Sequence, residues 1–101
     1  MATGMLIQIP GMNSDVYDSV MEHLDWDEKP LPQGFVSHYA GSTPDGWVVF
    51  DIWESQEDFE RFYEERLKQA LAAATGGQVP PMQPTFVQLH REAHADSRVG
   101  V

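Results

Sequence analysis

Four histidines, His23, His38, His90 and His94, are the side chains whose usual acidity lies nearest neutral pH, so proton transfer in this chain would run most easily through one of them. His38 stands inside the strand-like run Phe35 to Ala40, and His90 closes another, Thr85 to His90. A pocket would make His38 an acid, a base or a hydrogen-bond donor to substrate. A packed core would instead require a backbone or carboxylate partner for it, with Glu54 the nearest candidate. Asp51 lies mid-strand and is either paired, with Tyr39 or an arginine, or left as a carboxyl group without a counter-charge. Tyr17 and Tyr63 each carry a hydroxyl that needs a partner when buried. Trp47, Trp53, Phe59, Phe62 and Tyr63 either line a pocket for an aromatic ligand or form plain core. His90-Arg91-Glu92-Ala93-His94 would have metal-ligand spacing only on a helix; in a strand or tail it has none, and no metal is expected.

Several chemistries are excluded outright. The chain has no cysteine, which removes disulfides, thiolate nucleophiles and cysteine-held metals. No nucleophile elbow, phosphate loop, dinucleotide fingerprint or zinc-protease motif occurs, so no cofactor is expected. Six Lys and Arg against sixteen Asp and Glu give a formal charge of -10, which repels nucleic acid and anionic membranes and suits a soluble bacterial-type surface. No window is apolar enough to span a bilayer, and the first residues lack a signal-peptide pattern, so the expected location is cytoplasmic.

The 101 residues, 42% of them apolar, suffice for one core. Met5 to Pro10 is a short apolar strand. Asn13 and Ser14 can cap a helix with Tyr17, Val20, Met21 and Leu24 on one face. The acidic, proline-containing stretch Asp25 to Gly34 is a connection from which Trp26 folds back onto the domain. Phe35 to Ala40 and Trp47 to Glu54 form a hairpin around GSTPDG. Ser55 with Asp58 starts a second helix, apolar at Phe59, Phe62, Tyr63, Leu67, Ala70, Leu71 and Ala74 and stopped by Gly76 and Gly77. After a proline-rich loop comes the strand Thr85 to His90. The order βαββαβ predicts an α+β ferredoxin-like domain over 1–91, a four-stranded antiparallel sheet with two helices on one face, and a tail over 92–101 that is flexible or contacts a partner.

The strand Trp47 to Glu54 projects large apolar groups from both faces, so the second face needs a cover, and a second copy is the simplest one. A type I turn with a left-handed Gly46 gives a three-residue loop that pairs Thr43 with Trp47 and sets His38 opposite Ile52. His38 then shares the helix-covered face with Val48, Phe50, Ile52 and Glu54. Tyr39, Trp47, Asp51 and Trp53 form the dimer interface, Tyr39 opposite Asp51. A two-residue loop would exchange the faces.

The run GWVVFDIWES followed by QEDFERFYEERLKQAL resembles the dimeric α+β barrel superfamily, in particular its antibiotic biosynthesis monooxygenase-like branch, over about residues 5 to 90. The resemblance implies a homodimer with a ligand space between sheet and helices. Members include cofactor-free monooxygenases of aromatic polyketides, isomerases, haem-degrading enzymes and proteins without assigned activity. The haem-degrading members carry a histidine on the second helix; Gln56 to Thr75 contains none, so haem held in that way is not expected. Two functions follow. One is a cofactor-independent monooxygenase or isomerase acting on an aromatic or polyketide-like molecule, with His38 catalytic and Tyr17, Phe50, Glu54, Phe59, Tyr63 and His90 contacting substrate. The other is a non-catalytic dimeric ligand-binding or accessory protein whose interior is filled by its own side chains.

Overall fold

Alternating apolar residues set the sheet. In β1 (Thr3–Pro10), Met5, Ile7 and Ile9 are buried on one face, while Gln8 points outward. The computed structural model describes residues 2–79 and 81–95, and in it β1 pairs antiparallel with β3 (Gly46–Trp53) on one side and β4 (Thr85–Gln88) on the other. With β2 (Phe35–Thr43) outside β3, the sheet order is β2-β3-β1-β4. The ferredoxin-like βαββαβ order expected from the sequence is the one observed.

Helix α1 (Ser14–Leu24) begins where Asn13 accepts a hydrogen bond from the Val16 N–H at 3.0 Å, and ends at Asp25 in the left-handed conformation. Ser55 caps α2 (Gln56–Phe62) by accepting from the Asp58 N–H, and the Asp58 carboxylate also receives Arg61 at 2.9 Å. The rod then passes through one π-helical turn, Tyr63–Leu67, into α3 (Lys68–Ala74). The regular second helix expected from the sequence thus carries an extra residue in its middle turn, a local unwinding that recurs at functional sites. Val20 and Leu24 of α1, and Phe59, Phe62, Ala70 and Leu71 of the rod, close the core over Met5, Ile7, Ile9, Trp47 and Trp53. Trp26 folds back edge-on against Phe35 and Phe62, as expected.

Two backbone details fix the faces of the hairpin. Its loop contains two residues, Pro44 and Asp45, because Gly46 joins the ladder, pairing with Thr43 on one side and Pro10 on the other. The expected three-residue loop is therefore corrected: turn chemistry alone favoured it, but the neighbouring strand β1 pulls Gly46 into the sheet, and the Gly11 N–H donates to Asp45 O at 3.1 Å. The register moves by one, so His38 sits opposite Asp51 and Tyr39 opposite Phe50. The second detail is a β-bulge at Val36, between the pairs Phe35–Trp53 and Ser37–Ile52. It lets Phe35 and His38, three apart, face the same way.

Candidate active site

The side chains that meet beneath the helices come from three elements. Tyr17 descends from α1, His38 from β2, and Asp51 and Trp53 from alternate positions of β3. The Tyr17 hydroxyl lies 2.6 Å from His38 Nε2, and His38 Nδ1 lies 2.6 Å from Asp51 Oδ1. The Trp53 indole N–H donates to the other carboxylate oxygen, Oδ2, at 3.1 Å. Asp51 is 5% exposed and Trp53 1%, so the carboxylate is held on both oxygens inside the core. The Tyr17 and His38 rings are nearly parallel, 4° apart, and the Trp47 ring packs against Tyr17 with centroids 5.1 Å apart.

These groups edge a partly open cavity of about 70 Å³ whose other walls are apolar, among them Met5, Met21, Trp26, Phe35, Phe59 and Phe62. Low polarity there makes each hydrogen bond of the chain strong and each unpaired polar group costly. Burial raises the Tyr17 phenol above its ordinary value of 10.0, assisted by the negative charges of Asp51 and Asp18. At neutral pH the phenol therefore keeps its proton and supplies a hydroxyl to the site.

The other residues singled out by the sequence fall in different places. Phe59 lines the same cavity as Tyr17 and His38, its ring against Trp53. Phe50 is corrected to the opposite sheet face, where it pairs with Leu6 and Tyr39. Glu54 is exposed beyond the end of β3 and is not the partner of His38; its backbone N–H donates to Gly34 O at 2.7 Å. Tyr63, on the π-helical turn, borders a shallow groove with Met82 and Phe86 outside the cavity. His90 is exposed past the end of β4. Trp47, Asp51 and Trp53, assigned to an interface by the three-residue loop, are corrected to the helix-covered face, buried within one chain. Only Tyr39 of that set lies on the open face, 59% exposed, and its expected pairing with Asp51 is absent because the register is shifted. Of the expected tail, 96–101 lies outside the described residues.

Asp51 is the group whose role sequence reasoning missed. The signal existed in the Pro44-Asp45 pair: read as a two-residue loop, it places Asp51 across from His38. The Val36 bulge, in contrast, leaves no mark in residue types. Among the described residues, no group of three His, Asp or Glu side chains gathers at metal-binding range, and no helix is long and apolar enough to cross a membrane.

No protein-family model matches the sequence, and no curated protein does. Solved structures do match. SnoaB, a cofactor-independent oxygenase from Streptomyces nogalater, is 14% identical with a TM-score of 0.58, over 90% of this chain and 94% of that one. The monooxygenase ActVA-Orf6 of Streptomyces coelicolor, solved with nanaomycin D, is 18% identical with a TM-score of 0.58, over 92% and 90%. A dimeric ferredoxin-like protein of unknown function from Thermobifida fusca is 12% identical with a TM-score of 0.60, over 88% and 92%. What is shared at such identities is architecture: the chain is a ferredoxin-like α+β domain with the fold seen in the antibiotic biosynthesis monooxygenase-like proteins.

Proposed function

We propose that the protein is a cofactor-independent acid–base enzyme, an oxygenase or isomerase acting on a hydroxylated aromatic molecule, with the Tyr17–His38–Asp51 chain as its proton-handling group. The observation that carries this reading is a fully hydrogen-bonded carboxylate–imidazole–phenol series opening on an otherwise apolar cavity. Asp51 fixes the orientation and tautomer of His38, as a carboxylate does wherever imidazole must act as a base. Apolar walls orient a flat ring and keep water from competing for the proton. Removing a proton from a hydroxyarene makes it electron-rich enough to reduce dioxygen itself. A methylene between two rings then becomes a carbonyl, with one O₂ consumed and one water released, and the substrate supplies the electrons.

The size of the cavity bears on the alternative. An engineered cavity of about 150 Å³ admits benzene, and this one is about 70 Å³. A substrate ring must displace lining side chains, of which Trp26 and Met21 are only half-buried. A ligand-binding or accessory protein without turnover is favoured if those side chains do not yield.

The homodimer belongs to the same proposal. Leu6, Val48, Phe50 and Ile52 share the face that carries no helix among the described residues, with Tyr39 and Val87 exposed beside them. A second copy covers this face, and the small aromatic ligand enters each subunit separately.

The test pairs a thermal-shift screen of naphthols and anthrones with oxygen uptake and product analysis. A hit raises the melting temperature, and His38→Ala lowers kcat by about 10²- to 10³-fold while the protein stays folded. Unchanged turnover in His38→Ala removes the proton-handling role, and a screen without any hit removes the ligand site.

A further inference from the structure

Resting on the reading of this cavity as a ligand site, we infer that Tyr17, rather than His38, is the residue that meets the ligand, and that its oxygen acts there as a hydrogen-bond acceptor, so the site selects a ligand hydroxyl over a carbonyl.

Counting donors and acceptors along the chain leads to this assignment. A carboxylate only accepts. Asp51 Oδ1 therefore takes its hydrogen from His38 Nδ1, as Oδ2 takes one from the Trp53 indole. With its proton on Nδ1, a neutral imidazole has only a lone pair at Nε2. The Tyr17 hydroxyl, 2.6 Å away, must donate to it. Both nitrogens of His38 are then engaged, and it offers no free atom to a ligand. The hydroxyl hydrogen of Tyr17 is likewise engaged, but its oxygen keeps acceptor capacity that no other described residue fills, and the side chain lines the cavity. Every donor points toward Asp51, so the end left facing the cavity is an acceptor.

A ligand O–H gives its proton to Tyr17 Oη as the Tyr17 proton passes to His38 Nε2. The products are a ligand oxyanion hydrogen-bonded by the re-formed Tyr17 hydroxyl and an imidazolium paired with the Asp51 carboxylate. The net charge of the site is unchanged, with the new oxyanion balanced by the imidazolium, and no further reactant is needed. Tyr17 is the catalytic contact, and His38 and Asp51 act through it. A ketone, which has no hydrogen to give, faces a lone pair.

The experiment compares three one-ring probes of similar shape, phenol, toluene and benzaldehyde, titrated by NMR into wild type, Tyr17→Phe and the cavity-enlarging Trp26→Val. The affinity ratio of phenol to toluene should fall about tenfold in Tyr17→Phe, the equivalent of one hydrogen bond at about 1.4 kcal/mol. The ratio of benzaldehyde to toluene should not fall. An unchanged phenol ratio, or a loss confined to benzaldehyde, overturns the inference and leaves the ligand site standing. Failure of all three probes to bind either wild type or Trp26→Val overturns the ligand site and the inference together. A second measurement requires no variant: nitrogen-15 spectra of wild type near pH 8 should show the His38 proton on Nδ1 and a bare, hydrogen-bonded Nε2. A proton on Nε2 instead reverses the chain and refutes the assignment.

Discussion

The two faces of strand β3 put neighbouring residues to opposite uses. Trp47, Val49, Asp51 and Trp53 point under the helices, where one carboxylate and one imidazole are satisfied by partners from the same chain. Val48, Phe50 and Ile52 point the other way with Leu6, and no helix among the described residues covers them. A buried charge is tolerable only where hydrogen-bonding partners are supplied, whereas an apolar patch needs only to be kept from water. The polar series therefore lies where the chain covers itself, and the apolar patch lies where something else can.

The largest test of that contrast is Asp51→Ala. It leaves the His38 Nδ1–H and the Trp53 N–H without acceptors and should cost about 3 kcal/mol in urea unfolding. Glu54→Ala, at an exposed carboxylate three residues along, should stay within about 0.5 kcal/mol. Equal costs would show that the inner face is not special.

The open face is tested by Phe50→Asp, which should weaken self-association at least about a hundredfold, equivalent to about 2.8 kcal/mol, in sedimentation velocity. A wild-type chain that is monomeric at every concentration would break the comparison from that side.

A finer contrast lies between two buried indoles on one face. The Trp53 N–H donates to Asp51, while the Trp47 N–H has no acceptor among the described residues. Trp53→Phe should cost about 1–2 kcal/mol, and Trp47→Phe should be within about 0.5 kcal/mol of wild type, because it also removes an unpaired donor. A larger loss at Trp47 would reveal a partner for that indole.

The smallest effect concerns alkaline pH. The Tyr17 phenol in the folded chain holds its proton above 10.0, whereas the unfolded chain releases it near that value. The folded state then binds more protons than the unfolded one, so stability is complete below about pH 10 and declines as pH rises further. Tyr17→Phe should flatten this alkaline slope in thermal melts; a slope that persists would place its origin elsewhere.

The element order was legible because each segment carries its own signal: Asn13 and Ser55 as caps, three- and four-residue apolar spacing in the helices, and turn residues between the strands. His38 and Tyr17 could be singled out by type, since few side chains can move a proton at neutral pH. Their partnership could not. It depends on which residue of β3 lies opposite His38, and one residue of loop length reverses that answer.

What the chain determined alone was local: which stretches coil, which extend, where each stops, and that an acidic, cysteine-free domain must be held by its apolar core. What assembly decided was long-range. Strand β1 drew Gly46 into the ladder and shortened the loop, the bulge at Val36 turned Phe35 and His38 to one side, and α1 delivered Tyr17 to an imidazole 21 residues away. Side-chain alternation has a period of two, so faces are fixed only when neighbouring strands fix the register, and no local propensity carries that information.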